Sequence, residues 1–244
     1  MPPDPNERPE ISVVIPAYDE RENLEPLLDE LRVALGTTGR AWEAVVVDDA
    51  SSDGTTEVLA RAASADPRIV PIFLTQRTGQ SGALAVGLVR ARGDVVVTID
   101  ADLQNDPADV PKLLAALEHA DVVSGVRVGR RDGPVRLVSS AIANQVRRWL
   151  IGDRVTDIGC SLKAYRREVL DGMPMFVGVH RFLPALCQFR GARLVEVPVN
   201  HRARVHGLSK YGISNRLWRG LHDVIGVQWL KTRLIRTQLR KDPP

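Results

Sequence analysis

The stretch "VVVTIDADLQND", Val95 to Asp106, decides the reading of the fold. It opens as an unbroken apolar run where a half-solvated strand would alternate, so it reads as a strand buried on both faces, as in a parallel sheet. It closes on three carboxylates, Asp100, Asp102 and Asp106, with Gln104 among them. Ligands of open α/β sheets bind outside the carboxyl ends of the strands, so this polar end marks where chemistry is expected. Two upstream runs end the same way: "ISVVIP" from Ile11 leads into Tyr18, Asp19 and Glu20, and "AVVVDD" from Ala44 finishes in Asp48 and Asp49.

Between these runs lie helical patterns. "DERENLEPLLDELRVAL" places Leu24, Leu27, Leu28, Leu31 and Leu35 on one face, and "SDGTTEVLARAAS" offers Ser52 or Asp53 as an amino-terminal cap. The order is therefore βαβαβ, an α/β fold with a parallel sheet. Further along, "RIVPIFL" reads as a strand, "SGALAVGLVRAR" as a tightly packing helix, "PADVPKLLAALEHA" as a helix and "ADVVSGVRV" as a strand. The basic loop "RVGRRDGPVR" follows, then a helical "LVSSAIANQVRRWLIG", a mixed "CSLKAYRREVL", a helical "RFLPALCQFRG" and a late strand "ARLVEVPVNHRAR".

Composition narrows the class. With 44% apolar and 26% charged residues the chain is an ordinary globular protein rather than a disordered one. The opening "MPPDPNERPE" is too polar for a secretory signal and reads as a disordered lead-in, residues 1–10. Cys160 and Cys187 stand far apart without a CxxC, so both read as reduced structural thiols. No apolar run reaches the ~18 residues of a membrane span. The net charge is +3, but Lys and Arg crowd the segment from Arg202 to Lys241, which points to an acidic partner.

The chain has no GxGxxG after its first strand and no GxxxxGK[ST], which argues against a dinucleotide cofactor or a P-loop. Acids repel a phosphate unless a divalent cation stands between them. Asp carboxylates and a Gln carbonyl are hard oxygen donors that suit Mg2+ or Mn2+. A D-x-D at a strand end then holds a metal that neutralises a diphosphate.

"VVIPAYDERENL", "VVVDDASSDGT", "GQSGALAVGLVRARGDVVVTIDADLQNDP", "SGVR" and "HRARVHGLSKYG" together resemble family 2 glycosyltransferases of the GT-A fold, and within them the polyprenyl-phosphate, dolichyl-phosphate mannose synthase-like subgroup. The resemblance runs from about Ile11 to about Gly212 and implies a Rossmann-like, mostly parallel sheet flanked by helices, with a glycosyltransferase domain over residues 11–212. It implies that Pro16, Tyr18, Glu20 and Asp49 hold the base and ribose of a UDP- or GDP-sugar. Asp100, Ala101 and Asp102 match the D-x-D, with Asp102 and Gln104 on the metal, Mg2+ or Mn2+, and Asp100 behind them. Arg127, Arg204, Ser209 and Lys210 match positions that meet the acceptor phosphate. Asp102, Arg127, Asp157, Arg204 and Lys210 are the residues expected to carry catalysis. The implied reaction inverts the sugar while moving it to a polyprenyl phosphate for cell-envelope biosynthesis. A phosphate monoester, with its second pKa near ~6, is already largely dianionic at neutral pH and needs no general base.

Alternatives stay open at this level. A transferase acting on a hydroxyl of a polysaccharide or lipid-linked glycan would want a carboxylate base near Asp157, but Cys160 and Ser161 stand where related proteins often carry an acid. Asp157 could equally cap a helix. A non-catalytic nucleotide-sugar-binding subunit is a third reading. The closing segment, residues 213–244, keeps Ile213, Leu217, Leu221, Val224, Ile225 and Trp229 at helical spacing among basic residues. It reads as an amphipathic helix, lying on the cytoplasmic side of the cell membrane or packed on the domain's own core, with an integral membrane partner as an option. The basic loop from Arg127 to Arg136 lacks the aromatic interleaving of single-strand binders, so no nucleic acid is expected.

Overall fold

The computed structural model describes residues 8–128, 145, 147–203 and 214–233, with side chains of the last helix from 222 onward. Arg204, Ser209 and Lys210, and the basic loop beyond Val128, lie outside the described residues.

The three acid-terminated runs form β1 (Ile11–Ala17), β2 (Trp42–Asp48) and β4 (Val95–Thr98), joined through α1 (Arg21–Gly36), α2 (Thr55–Ala65), β3 (Ile69–Phe73) and α3 (Gly79–Arg90). After them come α4 (Val110–Ala116), β5 (Val122–Val128), β6 (Lys163–Arg166), α5 (Val179–Phe189), β7 (Leu194–Asn200) and α6 (Ser214–Arg233). All seven strands make one sheet in the order β3-β2-β1-β4-β6-β5-β7. Every pairing is parallel except those of β6, which runs antiparallel to both β4 and β5. The architecture is thus the GT-A-like, mostly parallel sheet that the sequence implied.

Strand burial follows from the unbroken apolar runs. Val13, Ile15, Ala44 and Val46 point into a core under α1, α2 and α4, whereas Val14, Val45 and Val47 point into a second core under α3 and α5. Gly87 lets α3 lie flat on the sheet, since a Cβ there would collide with Val14. The mixed segment "CSLKAYRREVL" resolves into β6 and a short 3-10 turn, Arg167–Val169. Its antiparallel direction escapes periodicity because β6 is not reached by a βαβ crossover. The cap of α2 also differs from expectation. Gly54, at φ 98°, takes the cap position, and Asp53 instead accepts from the N–H and hydroxyl of Thr55.

The carboxy-terminal helix packs on the domain along one side and leaves apolar residues exposed along another. Val224 and Val227 of α6 are buried in the second core, while Ile225 and Trp229 are 57% and 61% exposed. Arg181 of α5 bridges to Asp223 at 2.5 Å, and Lys231 donates to the carbonyl of Ile151 at 2.7 Å, which fixes α6 to the domain at two points. Among the described residues no helix is long and apolar enough to cross a membrane.

Candidate active site

Strand β1 has β2 on one side and β4 on the other, so the winding of the sheet reverses between β1 and β4. Such a switch point opens a crevice at the carboxyl ends of the strands. The polar ends of β1, β2 and β4 meet there.

On the β1–β2 side the acids organise the loops. Asp49 is buried and accepts from the Thr78 N–H at 2.6 Å, the Thr78 hydroxyl at 2.8 Å and the Gly79 N–H at 2.7 Å, so it caps α3. Asp48 accepts from the Ser51 N–H and the Thr56 hydroxyl. Asp19, at φ 50°, accepts from the Ser52 N–H at 2.8 Å, and Glu20 accepts from the Asn23 amide at 2.6 Å. Tyr18 lies under the Arg77 guanidinium, 3.8 Å from the ring centre. A hydrogen bond with Asp19 raises its phenol above the usual range.

After β4 the chain turns sharply, with Leu103 in the left-handed region at φ 59°. The turn is held by the Gln104 N–H donating to Asp102 at 3.1 Å. Asp100 accepts from the Gln80 amide at 2.6 Å, and its own N–H donates to the Ser161 hydroxyl. Burial, then the neighbouring negative charge of Asp102, pushes the Asp100 carboxyl up to about 6. Two crowded carboxylates beside a Gln amide form an oxygen donor set that fits a hard divalent cation. Among the described residues no cluster of three or more His, Cys, Asp or Glu side chains could hold a metal by itself. A cation here would rest on Asp102 and Gln104, completed by water and diphosphate oxygens, with Asp100 already committed to Gln80.

Arg127 and Asp157, assigned separately from sequence, prove to be partners. Two parallel hydrogen bonds of 2.8 Å join them, and the Arg127 N–H adds a third. Ser161 accepts from both Asp100 and Asn105, and so ties the start of β6 to the D-x-D turn. Cys160 is buried among these groups, and burial drives its thiol up to about 11.

Four residues at the site were not singled out from sequence. Lys163 is 2% exposed, donates to the His180 carbonyl at 2.9 Å, and is held down to about 8 by burial. Its sole sequence signal is a lysine inside an otherwise strand-like run. Ser81, on α3, lies 2.8 Å from His180 Nδ1. Arg202 pairs with Glu30 of α1 and Asp106 at 2.7 Å each, while its N–H donates to the Gln104 carbonyl. Arg202 therefore pins the start of the late basic segment to the acidic turn. Pro16, Gln80, Asp100, Ser161, Lys163 and His180 border a cavity of about 130 Å3 at the switch point. A wider groove of about 720 Å3 lies away from the strand ends, between α1 and α2, where Asp66 neutralises Arg32 and Arg68.

Comparison with known proteins places this geometry. Two undecaprenyl-phosphate 4-deoxy-4-formamido-L-arabinose transferases, from Salmonella paratyphi B and Salmonella newport, are each 39% identical over 217 residues. That is 88% of this chain, which spans 66% of the length of those relatives. Among solved structures, glucosyl-3-phosphoglycerate synthase from Mycobacterium tuberculosis, in complex with Mn2+, UDP-glucose and phosphoglyceric acid, superposes with a TM-score of 0.67 at 23% identity, over 93% of this chain and 81% of that one. A mannosyltransferase from Pyrobaculum calidifontis in complex with GDP-mannose and Mn2+ gives a TM-score of 0.61 at 24% identity, over 95% of this chain and 66% of that one. At such identities these two show the fold alone. Residues 12–173, which carry β1 to β6 and both halves of the acidic site, match the model of glycosyl transferase family 2, and the chain belongs to that family.

Proposed function

We propose that the chain is an inverting, metal-dependent glycosyltransferase that moves a sugar from a UDP- or GDP-sugar to a polyprenyl phosphate. The observation that carries this reading is the acid pair at the switch point. Burial, and after it the neighbouring charge of Asp102, raises Asp100 to about 6, an arrangement that a bound cation would relieve. The acceptor class follows from the names of the 39%-identical relatives, which are undecaprenyl-phosphate sugar transferases.

Each residue then has a task. Tyr18 and Glu20 line the nucleotide side, with Asp49 holding the amino end of α3 in place beside them. Asp102 and Gln104 hold Mg2+ or Mn2+, which when bound neutralises the departing diphosphate. Arg127, oriented by Asp157, and the segment with Arg204, Ser209 and Lys210 draw in the lipid phosphate. Direct attack by that phosphate oxygen on the anomeric carbon inverts the centre. No base is required, in keeping with Asp157 being engaged by Arg127 through two 2.8 Å bonds. Acceptance of a sugar hydroxyl would require Asp157 to give up that partner, which disfavours the polysaccharide reading.

The site of action is the cytoplasmic face of a membrane, with the 11–212 domain held peripherally through residues 213–244. Exposed Ile225 and Trp229 on α6, and Trp149 at 80% exposure, suit a lipid interface.

The test is a donor panel of UDP- and GDP-sugars, including 4-deoxy-4-formamido-L-arabinose, given with Mn2+ and undecaprenyl phosphate, with lipid products read by mass spectrometry. A polyprenyl-phosphate sugar formed by the wild type and absent with Asp102→Ala is expected. Unchanged turnover in Asp102→Ala would remove the metal assignment.

A further inference from the structure

The cavity at the switch point, together with one histidine that borders it, reaches beyond the residues assigned so far. We propose that this cavity receives the edge of the transferred sugar and that His180 reads a sugar oxygen there through its Nε2–H, making it a specificity-determining residue. The inference rests on the glycosyl-transfer reading and deepens it.

The placement comes first. The cavity of about 130 Å3 lies between the carboxyl ends of β1 and β4, with Asp100 of the D-x-D on one wall and the first turn of α5 on the other. At that size it is too small for a nucleotide, since whole-ligand pockets run to roughly 300 Å3 or more. It suits a few hydroxyls of a sugar whose diphosphate is held by the adjacent Asp102 turn. Its polar lining also converges, because Asp100 accepts while Lys163, Gln80 and His180 donate.

His180 is held in one chemical form. Ser81 Oγ accepts the Gly178 N–H at 2.8 Å and lies 2.8 Å from His180 Nδ1. The hydroxyl has one proton to give, and among the hydrogen bonds of the described residues Nδ1 is the one acceptor it meets, so we assign that proton to the Ser81–His180 bond. Nδ1 is then the acceptor, and the ring proton sits on Nε2. Burial, with Lys163 and Arg181 nearby, pushes this imidazole down to about 3, so it stays neutral throughout the physiological range. Among the described residues no hydrogen bond is formed by Nε2, and His180 is one of the residues that border the cavity. Lys163, bonded to the His180 carbonyl at 2.9 Å, fixes the backbone beneath the ring.

The same helix serves both halves of the donor. Asp49 caps α3 at Thr78 and Gly79, and Ser81 follows two residues later. A donor settling against the nucleotide side therefore meets a His180 already oriented through α3. A site built to hydrogen-bond a sugar oxygen rejects an analogue that lacks it, because the buried N–H is left unpaired.

The experiment measures Kd by calorimetry, in Mn2+, for UDP and GDP and for the panel of their sugars, on the full chain. His180→Phe keeps the ring and removes the N–H; His180→Asn keeps a donor; Ser81→Ala frees the tautomer. The wild type is expected to bind at least one sugar nucleotide more tightly than its nucleoside diphosphate. His180→Phe should erase about tenfold of that preference and leave the nucleoside diphosphate Kd unchanged. His180→Asn should restore part of it, and Ser81→Ala should fall between. An equal loss for nucleoside diphosphate and donor in His180→Phe would overturn the sugar contact, as would an unaltered donor preference. A wild type that binds every sugar nucleotide no better than its diphosphate would overturn the sugar pocket alone. A wild type that binds no nucleoside diphosphate would overturn the glycosyl-transfer reading, and this inference with it.

Discussion

Asp100→Asn should make the metal-free protein more stable above pH 6 while weakening its hold on metal and donor. The Asp100 carboxyl is raised from 3.8 to about 6, first by burial and then by Asp102. Between these values the native carboxyl holds its proton while the unfolded one has lost it. The associated stability is therefore fully present below about pH 4 and is lost as pH rises through about 6. At about 1.4 kcal/mol per pH unit, the loss is about 3 kcal/mol. Asn keeps an oxygen to accept the Gln80 amide, has no charge to desolvate and does not repel Asp102. Contact of Asp100 with the cavity tempers the gain, so about 1–2 kcal/mol is expected at pH 8. In a domain of this size that is a rise in Tm of about 2–8 °C. Urea unfolding in EDTA at pH 4.5, 6 and 8 measures it. The wild type should lose stability across this range relative to Asp100→Asn, and the variant should bind Mn2+ with UDP more weakly. Parallel pH profiles, or a variant less stable than the wild type at pH 8, would show that the acid pair is not under electrostatic strain.

Asp49→Ala removes three hydrogen bonds from the amino end of α3 and should cost about 2 kcal/mol, a fall in Tm of about 4–8 °C, with Asp49→Asn recovering part; calorimetric melting reads both. Asp157→Ala strands Arg127, whose side chain is only 17% exposed, and should destabilise by about 3 kcal/mol. The Arg127→Ala, Asp157→Ala double variant should recover part of that loss, and strict additivity in urea titrations would deny the pair. Arg204→Ala and Lys210→Ala should each raise KM for undecaprenyl phosphate and leave nucleotide binding intact, as read by steady-state kinetics and calorimetry.

Much of the sheet was legible because its central strands are apolar without alternation, and the positions after β1, β2 and β4 stood out because acids follow such runs directly. What stayed hidden depends on contacts distant in sequence. Nothing in "CSLKAYRREVL" tells that β6 inserts antiparallel between β4 and β5, since pairing direction follows from the chain's path rather than from residue pattern. Asp49 looked like any acid at a strand end, yet its oxygens are committed to Thr78 and Gly79, about thirty residues on. His180 stands just ahead of the helical pattern "RFLPALCQFRG" and so drew no notice, and its contact with Ser81, 99 residues earlier, is what gives it a role. Arg127 and Asp157 were each visible, but their pairing across 30 residues was not.

That pairing bears on how two polyanions can meet. Arg127 is matched by Asp157 at 2.8 Å and Arg181 by Asp223 at 2.5 Å, while Lys163 spends its ammonium on the His180 carbonyl. Both guanidiniums thus have an acid beside them, so each is held partly buried with its charge balanced. In the proposed reaction, the same balance leaves Arg127 to orient a lipid phosphate through its N–H groups, with little net charge to attract it. Surplus positive charge has to come from elsewhere, and the segment that follows Arg202 carries it as Arg204 and Lys210. Arg202 itself is spent on Glu30 and Asp106, and so anchors its own stretch of chain at the acidic turn. The proposed reaction then divides its labour: paired cations keep the interior beside the cavity neutral, and Arg204 and Lys210 answer the acceptor's charge.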